Sequence, residues 1–313
     1  MVTNINNEFI FRANEPHMAE SAEVDYMGKH NMHFFITGNL LAKNKEDDEF
    51  RYVTWNYFLD HPPFIEKNKL DLNFVNTFDF KYKVLCYNRR AHAHRKILVY
   101  NILKDELLKN NTLFSLGYEQ EYNDKITTEI IAGCTENLVE ANNIFDYFTN
   151  LKKDISFDKN INLNKPDPGR SFVMKDYKKT FVSLVTETLA TNDKLFFSEK
   201  TYKPIVAQQP FIIMGNPNSL KYLKSIGFKT FDRWWDESYD EETNFKIRFE
   251  KILNVVRKIC SMSYNELYTI RKEIDSVCIH NYKHYLKSSG VTEELKKLGF
   301  IPQIYQNINR KLI

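Results

Sequence analysis

The sequence lacks several features that would place it outside the cytoplasm. Its four cysteines lie far apart and none sits in a C-x-x-C pair, so we expect free thiols in a reducing compartment. No run of about 20 apolar residues is present, and no membrane-spanning helix is expected. The opening stretch MVTNINNEFIFRANEP lacks the basic start and apolar run of a secretory signal. These absences together predict a cytoplasmic protein without a membrane span.

Three motifs that mark common enzyme classes are also missing. The sequence has no G-x-S-x-G, no P-loop and no G-x-G-x-x-G. These absences weaken the interpretations as a serine hydrolase, a P-loop NTPase and a dinucleotide-dependent oxidoreductase. There is also no internal repeat and no low-complexity tract.

The composition is that of a soluble globular protein, and its charge is unevenly distributed. The chain has 313 residues, of which 42% are hydrophobic and 27% charged, enough for one large or two medium domains. Residues 1–80 hold 7 Lys and Arg against 13 Asp and Glu, whereas residues 81–313 hold 37 against 28. The net charges of −6 and +9 fit two solvated surfaces of different sign. They also fit a second part that binds an anion.

Apolar runs and helical periodicity alternate from residue 81 onward. This order predicts an α/β domain with a largely parallel sheet over residues 81–313, preceded by a smaller domain over residues 1–80. A helix is predicted to open at Ser198. The other predicted helices cover residues 96–110, 135–154, 244–260, 263–287 and 292–300. The predicted strands cover residues 82–87, 113–118, 180–188 and 210–215.

The first candidate site is the opening of the helix at Ser198. Ser198 is a good N-cap, and Glu199 in the first turn suits the helix dipole. Lys200 does not, because a cation is mildly unfavourable near a helix N-terminus. A lysine there is explained if an anion binds to it and to the free backbone N–H groups. The stretch that continues into Thr201 is therefore either a plain helix start or half of a phosphate site.

The second candidate site follows the predicted strand 82–87. Because ligands of open α/β sheets bind at the carboxyl ends of strands, this polar turn and the helix start at Ser198 could converge on one crevice. The alternative is a solvated loop with arginines in surface ion pairs. An H-x-H metal pair is disfavoured because no Cys or carboxylate lies nearby in sequence, and no metal site is predicted. The residues of the turn are Asn88, Arg89, Arg90, His92, His94 and Arg95.

Three further segments each allow a functional and a structural interpretation. Glu187 ends a predicted strand and could accept from a sugar hydroxyl or pair with a lysine. The acids of FDRWWDESYDEE lack the spacing of an EF-hand, so this segment is predicted to be an aromatic corner whose acids open a helix. The pair His280 and His284 lacks the Glu of a metalloprotease helix, which favours an ordinary helix surface.

Six segments in order resemble one family. YNRRAHAHR, FVSLVTET, FSEKTYKPI, PFIIMG, GFKTF and WWDESYD resemble the donor-binding region of GT-B glycosyltransferases of the exostosin-like and α-1,3-fucosyltransferase kind. They are also similar to glycosyltransferase-like proteins of phages and large viruses. The resemblance covers roughly residues 81–260. It implies a Rossmann-like nucleotide-sugar-binding domain with a smaller N-terminal acceptor domain. A GT-B enzyme usually has an acceptor domain of similar size, so here it is reduced or a later segment folds back into it.

The resemblance also implies a reaction and roles for individual residues. The expected reaction moves a sugar from a UDP- or GDP-sugar to an acceptor hydroxyl, with inversion, without a metal and without a further cofactor. Lys200 and Arg89 would hold the diphosphate, assisted by Asn88 and Arg90. Glu199 would bind the ribose and Glu187 would lie near the donor sugar. The other predicted donor-binding residues are Arg95, Ser198 and Thr201.

The base and the acceptor are the remaining predictions. The base that deprotonates the acceptor is expected in the N-terminal part, with Asp60 as the candidate and Glu66 behind it. A glycan acceptor is favoured because the N-terminal part is acidic. A hydroxymethylated base in DNA is the alternative, since the rest of the chain is basic. A non-catalytic nucleotide-binding protein is the rival from a different class.

Overall fold

The chain divides into two compact units. The computed structural model describes five short strands within residues 2–55 and, beyond them, residues 78–118, 126–151, 153, 155–156, 173–191 and 195–287. One unit comprises residues 1–62 with 285–313, and the other residues 63–284. The predicted boundary near residue 80 therefore falls inside the larger unit. Asp60 and Glu66, the predicted bases, lie outside the described residues.

The smaller unit contains a mixed β-sheet. Strands β1 and β2 pair antiparallel, with Val2 opposite Phe11, and β2, β3 and β5 pair in parallel. The order in the sheet is β1-β2-β3-β5. The strands of this unit are β1 (Val2–Ile5), β2 (Glu8–Ala13), β3 (Phe34–Gly38), β4 (Leu40–Leu41) and β5 (Arg51–Trp55).

The rest of the described chain alternates strands and helices, as the sequence predicts. The strands are β6 (Tyr82–Asn88), β7 (Thr112–Leu116), β8 (Ile155–Ser156), β9 (Thr180–Thr186), β10 (Leu195–Phe196) and β11 (Phe211–Met214). The helices are α1 (Ala93–Lys104), α2 (Glu106–Asn111), α3 (Thr128–Thr135), α4 (Leu138–Leu151), α5 (Met174–Lys178), α6 (Glu199–Val206), α7 (Ser219–Ser225), α8 (Phe245–Ser261) and α9 (Tyr264–Lys287).

The sheet of the larger unit contains a topological switch point. Its order is β11-β9-β6-β7-β8, and the first four of these strands run parallel. The chain starts at β6, adds β7 on one side, and then returns to add β9 and β11 on the other. The direction of strand addition therefore reverses between β6 and β9. In doubly wound sheets the loops that leave two such strands diverge and open a crevice at their carboxyl ends.

Burial explains why the strands were predictable. Every residue of β7, β9 and β11 is buried. Strands covered on both faces read as continuous apolar runs, which is typical of parallel sheets. The α/β prediction with a parallel sheet is confirmed, and the arrangement is consistent with a Rossmann-like fold.

Two helix predictions are wrong in part, one at an internal break and one at its start. The single helix predicted over residues 96–110 is two helices, because Asp105 leaves helical geometry and its side chain caps α2 through the backbone N–H groups of Leu107 and Leu108. The helix predicted over residues 135–154 begins only at Leu138. It is separated from α3 by Glu136, which is left-handed at φ 53°. The predicted helix over residues 292–300 lies outside the described residues.

The aromatic corner is present, but its acids act differently from the prediction. Trp235 is buried and stacks on Phe231 at 5.2 Å between ring centroids. Asp240 accepts from the backbone N–H groups of Leu220 and Lys221, at 2.8 and 2.9 Å, and so caps α7 from 20 residues away. This contact could not be read from local spacing, because the capped helix precedes the acid in the chain.

The histidine pair of α9 holds the other end of α7. His280 Nε2 lies 3.0 Å from the Gly227 carbonyl oxygen, and His284 Nε2 lies 2.6 Å from that of Ile226. Both histidines therefore donate to carbonyls that follow the last turn of α7. The pair is more than a plain helix surface, since it satisfies acceptors that the short helix leaves open.

We predict that Gly117→Ala destabilises the larger unit. A Cβ at Gly117 would lie 2.1 Å from the carbonyl oxygen of Arg89, and the Gly117 N–H also donates to the Asn88 carbonyl at 3.0 Å. The loop after β6 must therefore shift, and overpacking of this kind costs about 1–3 kcal/mol. Urea denaturation measures the loss.

Gly133→Ala is the matched control, because a Cβ there meets nothing within 4 Å and Gly133 lies inside α3. Alanine favours a helix over glycine by about 1 kcal/mol, so the control should be neutral or stabilising. Equal effects of the two substitutions would contradict the close approach at Arg89.

Candidate anion-binding site

Asn88 and Thr186 join the carboxyl ends of the two strands at the switch point. Asn88 ends β6 and Thr186 ends β9, and the Thr186 hydroxyl donates a hydrogen bond to Asn88 Oδ1. Asn88 Nδ2 donates to the Ser115 carbonyl of β7 at 3.2 Å. Both are buried, so the Asn88 side chain ties three strands together where the crevice begins. The predicted contact of Asn88 with a ligand stays a prediction.

Glu187 is a buried carboxylate that binds the start of α6. Its Oε1 accepts from the Ser198 N–H at 3.1 Å and from the Thr201 hydroxyl at 2.6 Å, and its Oε2 accepts from the Ser198 hydroxyl at 2.6 Å. The side chain is fully buried. A buried charge is tolerated when hydrogen bonds replace its hydration, and these three do so. Its oxygens are directed at α6, and the predicted contact with a donor sugar stays a prediction.

The first turn of α6 carries an adjacent acid and base. The Ser198 hydroxyl accepts from the Lys200 N–H at 3.3 Å, which confirms the predicted cap. Lys200 Nζ donates to the same hydroxyl at 2.8 Å and lies 3.3 Å from Glu199 Oε1. Burial alone would raise the pKa of Glu199, but Lys200 and Lys203 lower it below its usual value. The turn thus presents a carboxylate acceptor and an ammonium donor side by side.

The loop after β6 is fastened to β9 by Arg95. Arg95 is 1% exposed, and its guanidinium donates to the Thr186 carbonyl at 2.8 Å and to the Arg90 carbonyl at 3.1 Å. The backbone N–H of His92 donates to the same Arg90 carbonyl at 3.1 Å. Arg89 and Arg90 are only half-buried. Arg95 therefore shapes the loop, and the two arginines before it remain at its surface.

His92 and His94 are neutral histidines at the start of α1. Their rings stack with centroids 5.8 Å apart. Burial and the positive charges of Arg95, Lys200 and Arg90 lower the pKa of His92 to about 3. Burial and Arg95 lower the pKa of His94 well below its usual value. His94 Nε2 lies 2.9 Å from the carbonyl oxygen of Glu187, so this nitrogen carries the proton and donates.

The two predicted halves of the site therefore meet. Glu187 links them: its carbonyl accepts from His94 Nε2 at 2.9 Å at the start of α1, and its Oε2 accepts from the Ser198 hydroxyl, which in turn accepts from Lys200 Nζ at 2.8 Å at the start of α6. Among the described residues at these strand ends, the basic side chains outnumber the acidic ones, a balance that suits a multiply charged anion. The basic residues are Arg89, Arg90, Arg95 and Lys200, and the acidic ones are Glu187 and Glu199.

Two residues of the site were not among the predictions. Thr186 was read only as part of a strand, although its hydroxyl and carbonyl bind the other strand end and Arg95. Gly117 was read only as part of a strand run, although it is the close neighbour of Arg89. Their positions in the sequence could have indicated a role, because each lies at or just after the carboxyl end of a buried apolar run, where ligands of such sheets bind.

Among the residues that the structure describes, no three His, Cys, Asp or Glu side chains are grouped so as to hold a metal ion. No helix in the described part of the chain is long and apolar enough to cross a bilayer.

No protein-family model matches the chain, and no curated protein matches it.

We predict that Glu187→Gln destabilises the larger unit by about 2–4 kcal/mol. The amide keeps the shape of the carboxylate but turns an N–H₂ group toward hydroxyls that now donate to Glu187. An unmatched buried polar group of this kind is costly. Chemical denaturation measures the change.

The matched control is Glu250→Gln on α8, because Glu250 is exposed and should change stability by less than about 0.5 kcal/mol. A Glu187→Gln protein as stable as this control would mean that the carboxylate is not needed to hold α6.

Proposed function

We propose that the protein is a glycosyltransferase that moves a sugar from a nucleoside-diphosphate sugar to an acceptor hydroxyl. The observation that carries the proposal is that Glu187, at the switch point, bonds both Ser198, whose hydroxyl accepts from Lys200 Nζ, and His94 at the start of α1. Cationic groups and a helix N-terminus at the carboxyl ends of parallel strands are suited to a diphosphate. The six ordered segments that resemble GT-B donor domains favour a sugar nucleotide as the anion that binds here.

The site residues would share the work of binding the donor. Lys200 and the half-buried Arg89 and Arg90 would contact the diphosphate and stabilise the charge that develops as it leaves. Glu199, kept ionised by Lys200, would accept from the ribose hydroxyls. The buried residues would support the fold, because Asn88, Glu187 and Arg95 are hydrogen-bonded within it.

The transfer itself needs only one displacement. The acceptor oxygen bonds to the anomeric carbon as the bond from that carbon to the phosphate oxygen breaks. The acceptor proton passes to a base, and the nucleoside diphosphate departs with the negative charge. Attack from the opposite face inverts the anomeric centre. Asp60, followed by Glu66, remains the proposed base, and a glycan remains the proposed acceptor.

We predict that a nucleoside diphosphate stabilises the wild-type protein and that Lys200→Ala or Arg89→Ala reduces this stabilisation by about half or more. A ligand at 100 times its Kd adds about 2.7 kcal/mol of stability, which raises Tm by several degrees. Loss of one charged hydrogen bond weakens binding by about ten- to a hundredfold. Differential scanning fluorimetry with UDP, GDP and their sugar conjugates measures the shift.

Lys258→Ala is the control for charge, because Lys258 is an exposed lysine of α8. It should keep the full nucleotide response. The absence of a shift with every nucleotide would rule out the proposed function. A nucleotide shift without any turnover of a sugar conjugate would favour the non-catalytic binder.

A hydroxymethylated base in DNA is the second candidate acceptor, favoured by the net charge of +9 over residues 81–313. For a glycan acceptor we expect donor hydrolysis to be unaffected by hydroxymethylated DNA. Release of the free nucleoside diphosphate measures it, with unmodified DNA of the same sequence as the control. Stimulation by the hydroxymethylated DNA alone would replace the glycan with DNA as the acceptor.

A further inference from the structure

Lysines from two distant segments lie side by side at the amino ends of β6 and β9, where these strands begin. The Lys179 carbonyl accepts from the backbone N–H groups of Lys81 at 2.8 Å and of Tyr82 at 3.0 Å. Tyr82 then lies opposite Thr180 in the sheet. The Lys81 side chain is 59% exposed, and Lys179 is half-buried. Main-chain hydrogen bonds therefore hold the two lysines next to each other at the surface.

The short helix α5, which ends directly before Lys179, adds a further cation to this edge of the sheet. Its Lys175 is exposed. The Asp176 side chain is buried, and its carboxylate accepts from the Tyr87 hydroxyl at 3.0 Å. Helix α5 therefore buries its acid and exposes a lysine.

The acids at this edge do not balance the lysines. Asp79 is 82% exposed and lies 4.0 Å from Lys81 Nζ, and an exposed ion pair of this kind contributes little. Glu266, near the start of α9, accepts from the Ser263 N–H and hydroxyl, both at 2.7 Å. Segments 78–83, 173–180 and 263–268 bring four lysines and two acids to the surface. The lysines are Lys81, Lys175, Lys178 and Lys179, and the acids are Asp79 and Glu266.

An exposed aromatic ring is fixed beside these lysines. Tyr264, at the start of α9, is 39% exposed, and its hydroxyl donates to the Lys81 carbonyl at 2.9 Å. Lys83 Nζ lies 5.4 Å from the centroid of the same ring. Lys83 is itself buried and donates to the Cys260 carbonyl at 2.6 Å, at the end of α8. The ring is thus held at its hydroxyl and against a buried lysine, so little entropy is lost when a ligand stacks on it.

A fixed, exposed ring next to several ammonium groups is suited to single-stranded nucleic acid. Unpaired bases stack on aromatic side chains while the phosphates pair with lysines, and neither contact needs a particular sequence. A duplex keeps its bases in its own stack and would use the lysines alone. The same holds for an anionic membrane surface. The ring therefore favours the single strand among these polyanions.

We propose that the amino ends of β6 and β9 form a binding surface for single-stranded nucleic acid, with a base stacked on Tyr264 and phosphates on Lys81, Lys175 and Lys179. The seven residues of each strand separate this surface from the crevice at the carboxyl ends by about 20 Å. Binding here is independent of the proposed sugar transfer, and Lys200→Ala should leave it intact.

The stacking contact is tested by fluorescence anisotropy of the full chain with a labelled oligothymidylate of about 20 nucleotides, in about 50 mM sodium chloride. Tyr264→Ala should weaken binding by about five- to a hundredfold, because one base loses its aromatic partner. Tyr147→Ala is the matched control, since Tyr147 on α4 is also 39% exposed. It should bind the oligonucleotide as the wild type does.

The phosphate contacts are tested by the salt dependence of the same binding. Combining Lys81→Gln, Lys175→Gln and Lys179→Gln should reduce the slope of log affinity against log salt by about two, since each single-strand phosphate contact contributes about 0.7. A control that combines three exposed lysines far along the chain should keep the wild-type slope. Its substitutions are Lys221→Gln, Lys229→Gln and Lys283→Gln.

A measurement on the wild type alone does not depend on a folded variant. An oligonucleotide that carries iodouracil crosslinks to aromatic side chains in contact with it when irradiated. Mass spectrometry should place the crosslink at Tyr264.

Several outcomes would overturn the proposed surface. They are no oligothymidylate binding by the wild type, crosslinks only at other residues, and equal losses in Tyr264→Ala and Tyr147→Ala. Tighter binding to duplex DNA or to phosphatidylserine vesicles than to the single strand would also overturn it, because the lysines alone would then account for the affinity.

Failure of the proposed function is a separate result. Oligonucleotide binding that needs Tyr264, without turnover of any sugar nucleotide, would remove the glycosyltransferase and leave this surface as described. Loss of oligonucleotide binding in Lys200→Ala would instead move the nucleic acid to the crevice and contradict a surface at the amino ends of the strands.

Discussion

The buried carboxylate of Glu187 is the contact on which the crevice depends. Its side chain holds the first turn of α6 through Ser198 and Thr201, and its carbonyl accepts from His94 at the start of α1. One residue at the end of β9 therefore positions two helix starts that belong to distant parts of the chain. The order of the parallel strands brings these helices to the same edge, and Glu187 sets how they face each other.

The second constraint is the positive charge that collects where α1 begins. The first turn of α1 contains no acid, and His94, Arg95 and Lys96 are all buried there. Positive charge in this turn is unfavourable, because it opposes the helix dipole and because burial removes its hydration. The fold offsets part of the cost by leaving the histidines neutral and by bonding Arg95 to two carbonyls. Under the proposed function, a bound anion would offset the remainder of this cost.

Local chemistry explains which elements could be predicted. The strands β7, β9 and β11 are continuous apolar runs because both faces are covered, and the start of α6 carries its own cap in Ser198. The break at Asp105 was missed, because the helical spacing of apolar residues continues across it. Asp240 was also misassigned, since it caps a helix that lies earlier in the chain.

By itself the sequence determined the α/β class, the strand ends at which polar residues collect, and the oddity of Lys200 in a capped first turn. These follow from burial and from capping, which act over a few residues. Only the tertiary structure decided which of those residues are hydrogen-bonded within the fold. Glu187 and Asn88 are bonded within the fold, whereas Lys200 is bonded to Ser198 and Glu199 in its own helix turn. The reason is that hydrogen-bond partners and local potential depend on groups from β6, β9, α1 and α6, which only folding brings together.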